Sequence, residues 1–182
     1  MGRISLSGML KLFMLFIFLS LTTGCISHHY DPTGYISIDP ETLPDVTIKN
    51  SVTLINNQDS DEEIYIYGVG AHSWYANLHL WTDEVIMSLS QAIASRGGKV
   101  VENSDKVIKV SVAKVNVDSN MWGSSTFYVV IEYETGNHIQ KKITGSQYAQ
   151  NLFYSTWPLD TATEQAIRDL LADKEIINYL NE

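Results

Sequence analysis

Thr126-Phe127-Tyr128-Val129-Val130-Ile131-Glu132-Tyr133-Glu134 is the stretch from which the fold is most directly read. Phe127, Val129, Ile131 and Tyr133 fall on one face of an extended chain, and polar residues hold most of the other, so it reads as a half-buried strand. Glu134-Thr135-Gly136-Asn137 has turn composition, and His138 to Tyr148 returns as a second arm. Upstream, Val107 to Val117 is long and β-rich, and Gly123-Ser124-Ser125 reads as the turn that joins it to the central strand. In that upstream run Ile108, Val110 and Val112 share one face, whereas Val115 and Val117 have the opposite parity. This switch predicts a bulge near Ala113, or a strand whose far end is covered on its other side. The three runs predict an antiparallel meander.

Around the meander the period changes. From Thr82 to Arg96, Val85, Ile86, Leu89, Ala92 and Ile93 form an apolar stripe at helical spacing. Thr82 suits the N-cap, Asp83 and Glu84 the first turn, and Arg96 with Gly97 the end. Before this helix, Ser51 to Ile55 and Ile64 to Tyr67 read as strands flanking a polar turn, which suggests a hairpin, with a loop between them as the alternative. After it, Lys99-Val100-Val101 is a brief strand. A second helix starts at Pro158, with Thr161 and Glu164 at capping-box spacing and Ala166, Ile167, Leu170 and Leu171 as its stripe. Asp173 and Lys174 interrupt it before Ile176, Ile177 and Leu180 form a last short helix. The order predicts an α+β fold: a mostly antiparallel sheet of four to six strands with two to three helices on one face.

The N-terminus follows different rules. Arg3 and Lys11 precede an apolar run from Leu12 to Leu21, which leads into Leu21-Thr22-Thr23-Gly24-Cys25. A basic segment, a short apolar core and small residues at a junction form a secretory signal peptide. The run is about ten residues, half of what a transmembrane helix needs. Cys25 is the chain's single cysteine, and at that junction it resembles the lipobox of bacterial lipoproteins, with Thr22 where leucine is preferred. The resemblance implies cleavage between Gly24 and Cys25 and lipid on Cys25. Residues 1–24 are then the signal peptide. Residues 25–45 read as a tether, because three of the four prolines (Pro32, Pro40 and Pro44) fall there. Residues 46–182 read as a single domain of a size that supports a core.

The chain carries 12 basic and 21 acidic residues, and both bases of the first 24 residues leave with the signal peptide. So acidic a surface repels nucleic acid and anionic lipid, which makes neither a ligand. With Cys25 lipidated there is no thiol for catalysis and no disulfide. His72 and His79 lack metal-ligand spacing, and adjacent His28 and His29 would point to opposite sides of a strand. Asp59, Asp61, Glu62 and Glu63 form an acidic run without the glycine turn and distal carboxylate of a calcium loop. No serine sits in Gly-x-Ser-x-Gly, and Gly68-Val69-Gly70 lacks a third glycine. No catalytic residue, metal site or cofactor other than the lipid is therefore named. Aromatics are the conspicuous excess. Trp74, Tyr75 and Trp81 precede the first helix, Met121 and Trp122 follow the long strand, and Phe153, Tyr154 and Trp157 precede the last helices. Trp74, Tyr75, Trp81, Trp122 and Trp157 form the candidate interaction surface, since loop aromatics favour interfaces. The alternative is that they fold back over the open end of the sheet.

A helix ending in Ser95-Arg96-Gly97-Gly98, then Lys99-Val100-Val101, Asp105 and the strand Val107-Ile108-Lys109-Val110-Ser111-Val112, with a closing Leu170-Leu171, Asp173 and Ile176 to Leu180, resembles the YajG-type and ABC-transport auxiliary small lipoproteins of Gram-negative envelopes. The resemblance implies one helix, a following sheet and a closing helix behind a lipidated cysteine, and it carries over no residue except Cys25. With Ile26 rather than aspartate after Cys25, it implies the outer membrane, facing the periplasm. The expected function is a non-catalytic accessory or interaction subunit with a protein partner in a transport or envelope-assembly system. The alternative is a periplasmic ligand-binding protein or enzyme with a pocket between helix and sheet.

Overall fold

The computed structural model describes residues 25–120, 123–150 and 156–182. Among the described residues, two sheets and three α-helices make up an α+β fold. The larger sheet has the order β5-β2-β6-β7-β8, with β2 Ser51–Asn56, β5 Lys99–Val100, β6 Val107–Ser119, β7 Ser124–Thr135 and β8 Gln140–Gln150. Strands β6, β7 and β8 form the expected antiparallel meander, whereas β2 pairs in parallel with both β5 and β6. Helix α1 Leu78–Ser95 precedes β5 in the chain, and helices α2 Trp157–Ala172 and α3 Lys174–Asn181 follow β8. The apolar stripe of α2 and, apart from the partly buried Ile86, that of α1 are buried, as are Val52, Ile108, Val110, Val112, Phe127, Val129, Ile131 and Tyr133 of the sheet.

The bulge forms where parity places it. Val112 pairs with Ile131 but Lys114 with Val130, so Ala113 is the extra residue. Val115 and Val117 thereby stay opposite Val129 and Phe127 on the inner face. At β8, Gly145 lies under α2, where a Cβ would stand 1.8 Å from the Ala162 carbonyl oxygen.

Three local expectations are corrected. The hairpin joins β3 Glu63–Val69 to β4 His72–Asn77 through Gly70 and Ala71, with Gly70 at a φ of 60°. Strand β2 belongs to the other sheet, so the polar run after it is a crossover. Glycine's access to positive φ makes the two-residue connection the better hairpin turn. Helix α1 begins four residues before Thr82, capped by the Asn77 side chain, which accepts from the His79 and Leu80 N–H groups. Thr82 is instead buried inside the helix. Thr161 is likewise inside α2, donating to the Trp157 carbonyl, so the capping box is not made. Asp173 caps α3 through the Glu175 and Ile176 N–H groups.

The proline-rich segment is not a free spacer. Strand β1 Ile26–Tyr30 pairs in parallel with β4, giving a three-stranded sheet of order β1-β4-β3. The chain then crosses the helices as a strap, burying Tyr30, Ile36, Leu43 and Ile48. Glu84 accepts from the Gly34 N–H, Ser88 donates to the Ile36 carbonyl, and the Arg96 guanidinium donates to the carbonyls of Pro40 and Leu43. Burial of four widely spaced apolar residues overrides the extended, solvated bias of the prolines.

Candidate functional site

The small sheet has two unlike faces, because side chains alternate along each strand. On its inner face Trp74 is sandwiched between His28 of β1, with centroids 4.6 Å apart, and Tyr67 of β3, also at 4.6 Å and nearly parallel. Tyr67 meets Phe127 of the large sheet edge-on. His28 Nε2 lies 2.7 Å from His72 Nδ1, which ties β1 to β4. Trp81 is fully buried against Tyr30, and its indole N–H donates to Thr163.

These contacts correct the aromatic surface expected from sequence. Trp74 and Trp81 are core residues: one fills the stack between strands and the other the junction of strap and helices. Tyr75 faces outward from β4, and Trp157 is exposed at the start of α2. Trp122 lies outside the described residues, as do Met121, Phe153, Tyr154, Gly24 and the whole signal segment. The four described aromatics do not form one surface. Cys25 is exposed, and β1 begins at the next residue.

A different aromatic group does assemble on the outer face. His29, Tyr75 and Tyr65 lie side by side across β1, β4 and β3. The His29 and Tyr75 rings are 6.1 Å apart and stacked, and Tyr65 meets Tyr75 edge-on at 5.9 Å. Tyr65 is 57% exposed and its neighbour Ile64 44%. The placement of Tyr65 depends on a register shift between Tyr65 and Tyr67, which makes Ile66 the extra residue. Tyr65 thereby points outward while Ile66 and Tyr67 are buried. Gly68 completes the arrangement: a Cβ there would lie 2.9 Å from the Tyr65 hydroxyl, so glycine lets the ring lie along the strand. His29 reaches over β4 to Glu63, Nδ1 to Oε2 at 2.8 Å. Asp59, Asp61, Glu62 and Glu63 lie at the head of β3, with His79 Nδ1 3.6 Å from Asp61. Sequence reading treated Ile64 to Tyr67 as a simple strand, and no composition signal marks the bulge that turns Tyr65 outward.

Other polar groups are committed elsewhere. The Tyr30 hydroxyl donates to the Asp160 carboxylate at the start of α2. Burial, with the nearby Glu164 charge, raises Asp160 to about 6 despite that hydrogen bond. Burial also pushes Tyr30 far above the ordinary phenol range. The pair fastens the strap and lines none of the described cavities. A concavity of about 380 Å³ opens on the outer face of the meander among Lys109, Ser111, Glu132, Glu134 and Lys142. Its lysines are spoken for: Lys109 pairs with Glu134, and Lys142 with Glu132. No group of three or more His, Cys, Asp or Glu side chains among the described residues is placed to hold a metal ion.

No family model and no curated protein matches this sequence. Among solved structures, a Xanthomonas campestris protein of family DUF330 aligns at 15% identity, covering 84% of this chain and 95% of its own, with a TM-score of 0.48. The PelC dodecamer from Paraburkholderia phytofirmans aligns at 14% identity over 71% of this chain and 89% of its own, with a TM-score of 0.34. An uncharacterized protein aligns at 9% identity over 81% and 94%, with a TM-score of 0.35. At these values none of them assigns an activity here.

Proposed function

We propose that this chain is a lipid-anchored lipoprotein of the bacterial envelope that works as a non-catalytic accessory or protein-interaction subunit of a transport or envelope-assembly system. Its anchor is the lipid on Cys25, and its location is the outer membrane, facing the periplasm. The observation that carries the interaction reading is the outward face of the small sheet, where His29, Tyr75 and Tyr65 are held in register and the Tyr65 ring is mostly exposed. Tyrosines fixed on a sheet supply large contact area at low entropic cost, as protein interfaces require. The anchor reading rests on the signal-like segment and on the place of Cys25 in it.

The test has two arms. Palmitate labelling of the chain in its host should mark the wild type and vanish in Cys25→Ser. A photocrosslinking phenylalanine analogue at Tyr65 should capture a partner that the same analogue at Tyr128, on the large sheet, does not. An unlabelled wild type overturns the anchor, and absence of capture at Tyr65 overturns the interaction role.

A further inference from the structure

The partner chemistry that fits this face follows from its charge and ring geometry, and the argument rests on the interaction reading above. Two tyrosines and an imidazole lie beside Glu63, the last residue of the exposed acidic run Asp59, Asp61, Glu62 and Glu63 at the head of β3, in a chain with a formal charge of −9. The cationic groups recorded against those carboxylates are the imidazoles of His29 and His79. Lysine and arginine pairs elsewhere lie on β6, β7, β8 and the later helices, where Lys109, Lys141, Lys142 and Arg168 have their own carboxylates. The aromatic face is therefore bordered by negative charge that the described ion pairs leave without lysine or arginine.

We propose that the outer face of the small sheet docks a basic segment of a partner protein, with arginine side chains packed on Tyr65 and Tyr75 and their charge facing Glu62 and Glu63. A guanidinium stacks on a tyrosine ring and simultaneously meets carboxylates, which an ammonium does less well. The ring geometry separates this occupant from a glycan. Sugars stack on flat, open platforms, whereas Tyr65 and Tyr75 stand at 75° to one another. Anionic lipid and nucleic acid are repelled by the same carboxylates. The site is built before a partner arrives. The bulge at Ile66 turns Tyr65 out, Gly68 lets its ring lie down, and the His29 contact holds Glu63 at the rim.

The probe is a ten-residue peptide of alternating arginine and glycine, titrated calorimetrically into the detergent-purified full chain at low and high salt. Binding should weaken about fivefold or more in Tyr65→Ala, in line with a cation–π contact. It should weaken similarly in the double variant Glu62→Gln/Glu63→Gln, which should also flatten the salt dependence. Glu102→Gln makes the same kind of charge change far from the face and should bind like the wild type. A lysine-glycine peptide should bind more weakly than the arginine peptide. Failure to bind the arginine peptide overturns the proposal. So does binding that Glu102→Gln weakens as much as Tyr65→Ala does, since that is attraction to acidity in general. If the analogue at Tyr65 captures a partner in host membranes that the arginine peptide does not displace, the interaction role stands and the basic chemistry falls. Absence of capture instead removes the interaction role itself.

Discussion

The Thr82 hydroxyl accepts the backbone N–H of Val112 at 3.0 Å, joining the first turns of α1 to the strand next to its bulge. Strand β2 ends at Asn56 and pairs with β6 only as far as Val110, so Val112 has no backbone partner on that side. Its N–H goes to Thr82 and its carbonyl accepts from the Gln58 side chain. Both groups sit in a buried setting where an unpaired one is costly.

Thr82→Val keeps the shape of the side chain and removes the acceptor. It should lower stability by about 1–3 kcal/mol, the cost of an unsatisfied buried donor. Thr82→Ser should recover most of that loss. Urea denaturation followed by circular dichroism checks both, and equal stability of Thr82→Val and wild type would show that Val112 finds another partner.

A buried and an exposed aromatic ring should respond differently to truncation. Trp81→Ala removes a fully buried indole and should cost about 3–5 kcal/mol. Tyr65→Ala acts at a mostly exposed ring and should change stability by about 0.5 kcal/mol or less. Thermal melts of the two variants separate core from surface, and a large loss in Tyr65→Ala would make that ring structural.

The Tyr30–Asp160 pair makes the strap firmer at mildly acid pH than at neutral pH. Asp160 titrates near about 6 in the folded chain against 3.8 for a free side chain, chiefly because it is buried. Between those values the folded state holds the proton more tightly, so this group adds stability as pH falls and withdraws it as pH rises. Asp31 and Glu84 face Tyr30, and Glu164 faces Asp160, so ionisation places like charges together. Amide exchange over residues 26–37 should be slower at pH 5 than at pH 7.5, after correction for intrinsic rates. Asp160→Asn should remove much of that difference. A difference unchanged in Asp160→Asn would move the titration to another group.

Two glycines should tolerate alanine very differently. Gly145→Ala forces a methyl to within 1.8 Å of the Ala162 carbonyl oxygen, so α2 must move off β8. The expected loss is about 3 kcal/mol, at the upper end for overpacking. Gly70→Ala meets open space and pays only for its positive φ, about 1–2 kcal/mol. Denaturation midpoints of both variants check the order.

The meander was legible because period-two alternation acts locally: Phe127, Val129, Ile131 and Tyr133 each declare their face. The Ala113 bulge was legible for the same reason, since a parity error within one strand needs a physical remedy. The pairing of β3 with β4 rather than β2 was not, because Ser51 to Ile55 and Ile64 to Tyr67 look alike as strands and partner choice is a long-range matter. The strap was hidden because Tyr30, Ile36, Leu43 and Ile48 show no period, while the prolines between them suggest solvated chain. Trp74 and Trp81 have the sequence surroundings of loop aromatics, yet one sits on β4 and the other in α1, both in the core. Tyr65 became visible only once the Ile66 bulge had fixed which way it points.

The start of β1 sets how freely the domain can turn. The Ile26 N–H is already bonded to the Ala71 carbonyl at 2.8 Å, so no slack chain separates Cys25 from the sheet. A domain held at Cys25 with β1 in place would swivel through a narrow cone rather than sample a sphere. Its aromatic face would then meet a partner at the same level with its angular search largely completed, which favours fast, oriented encounter over long reach.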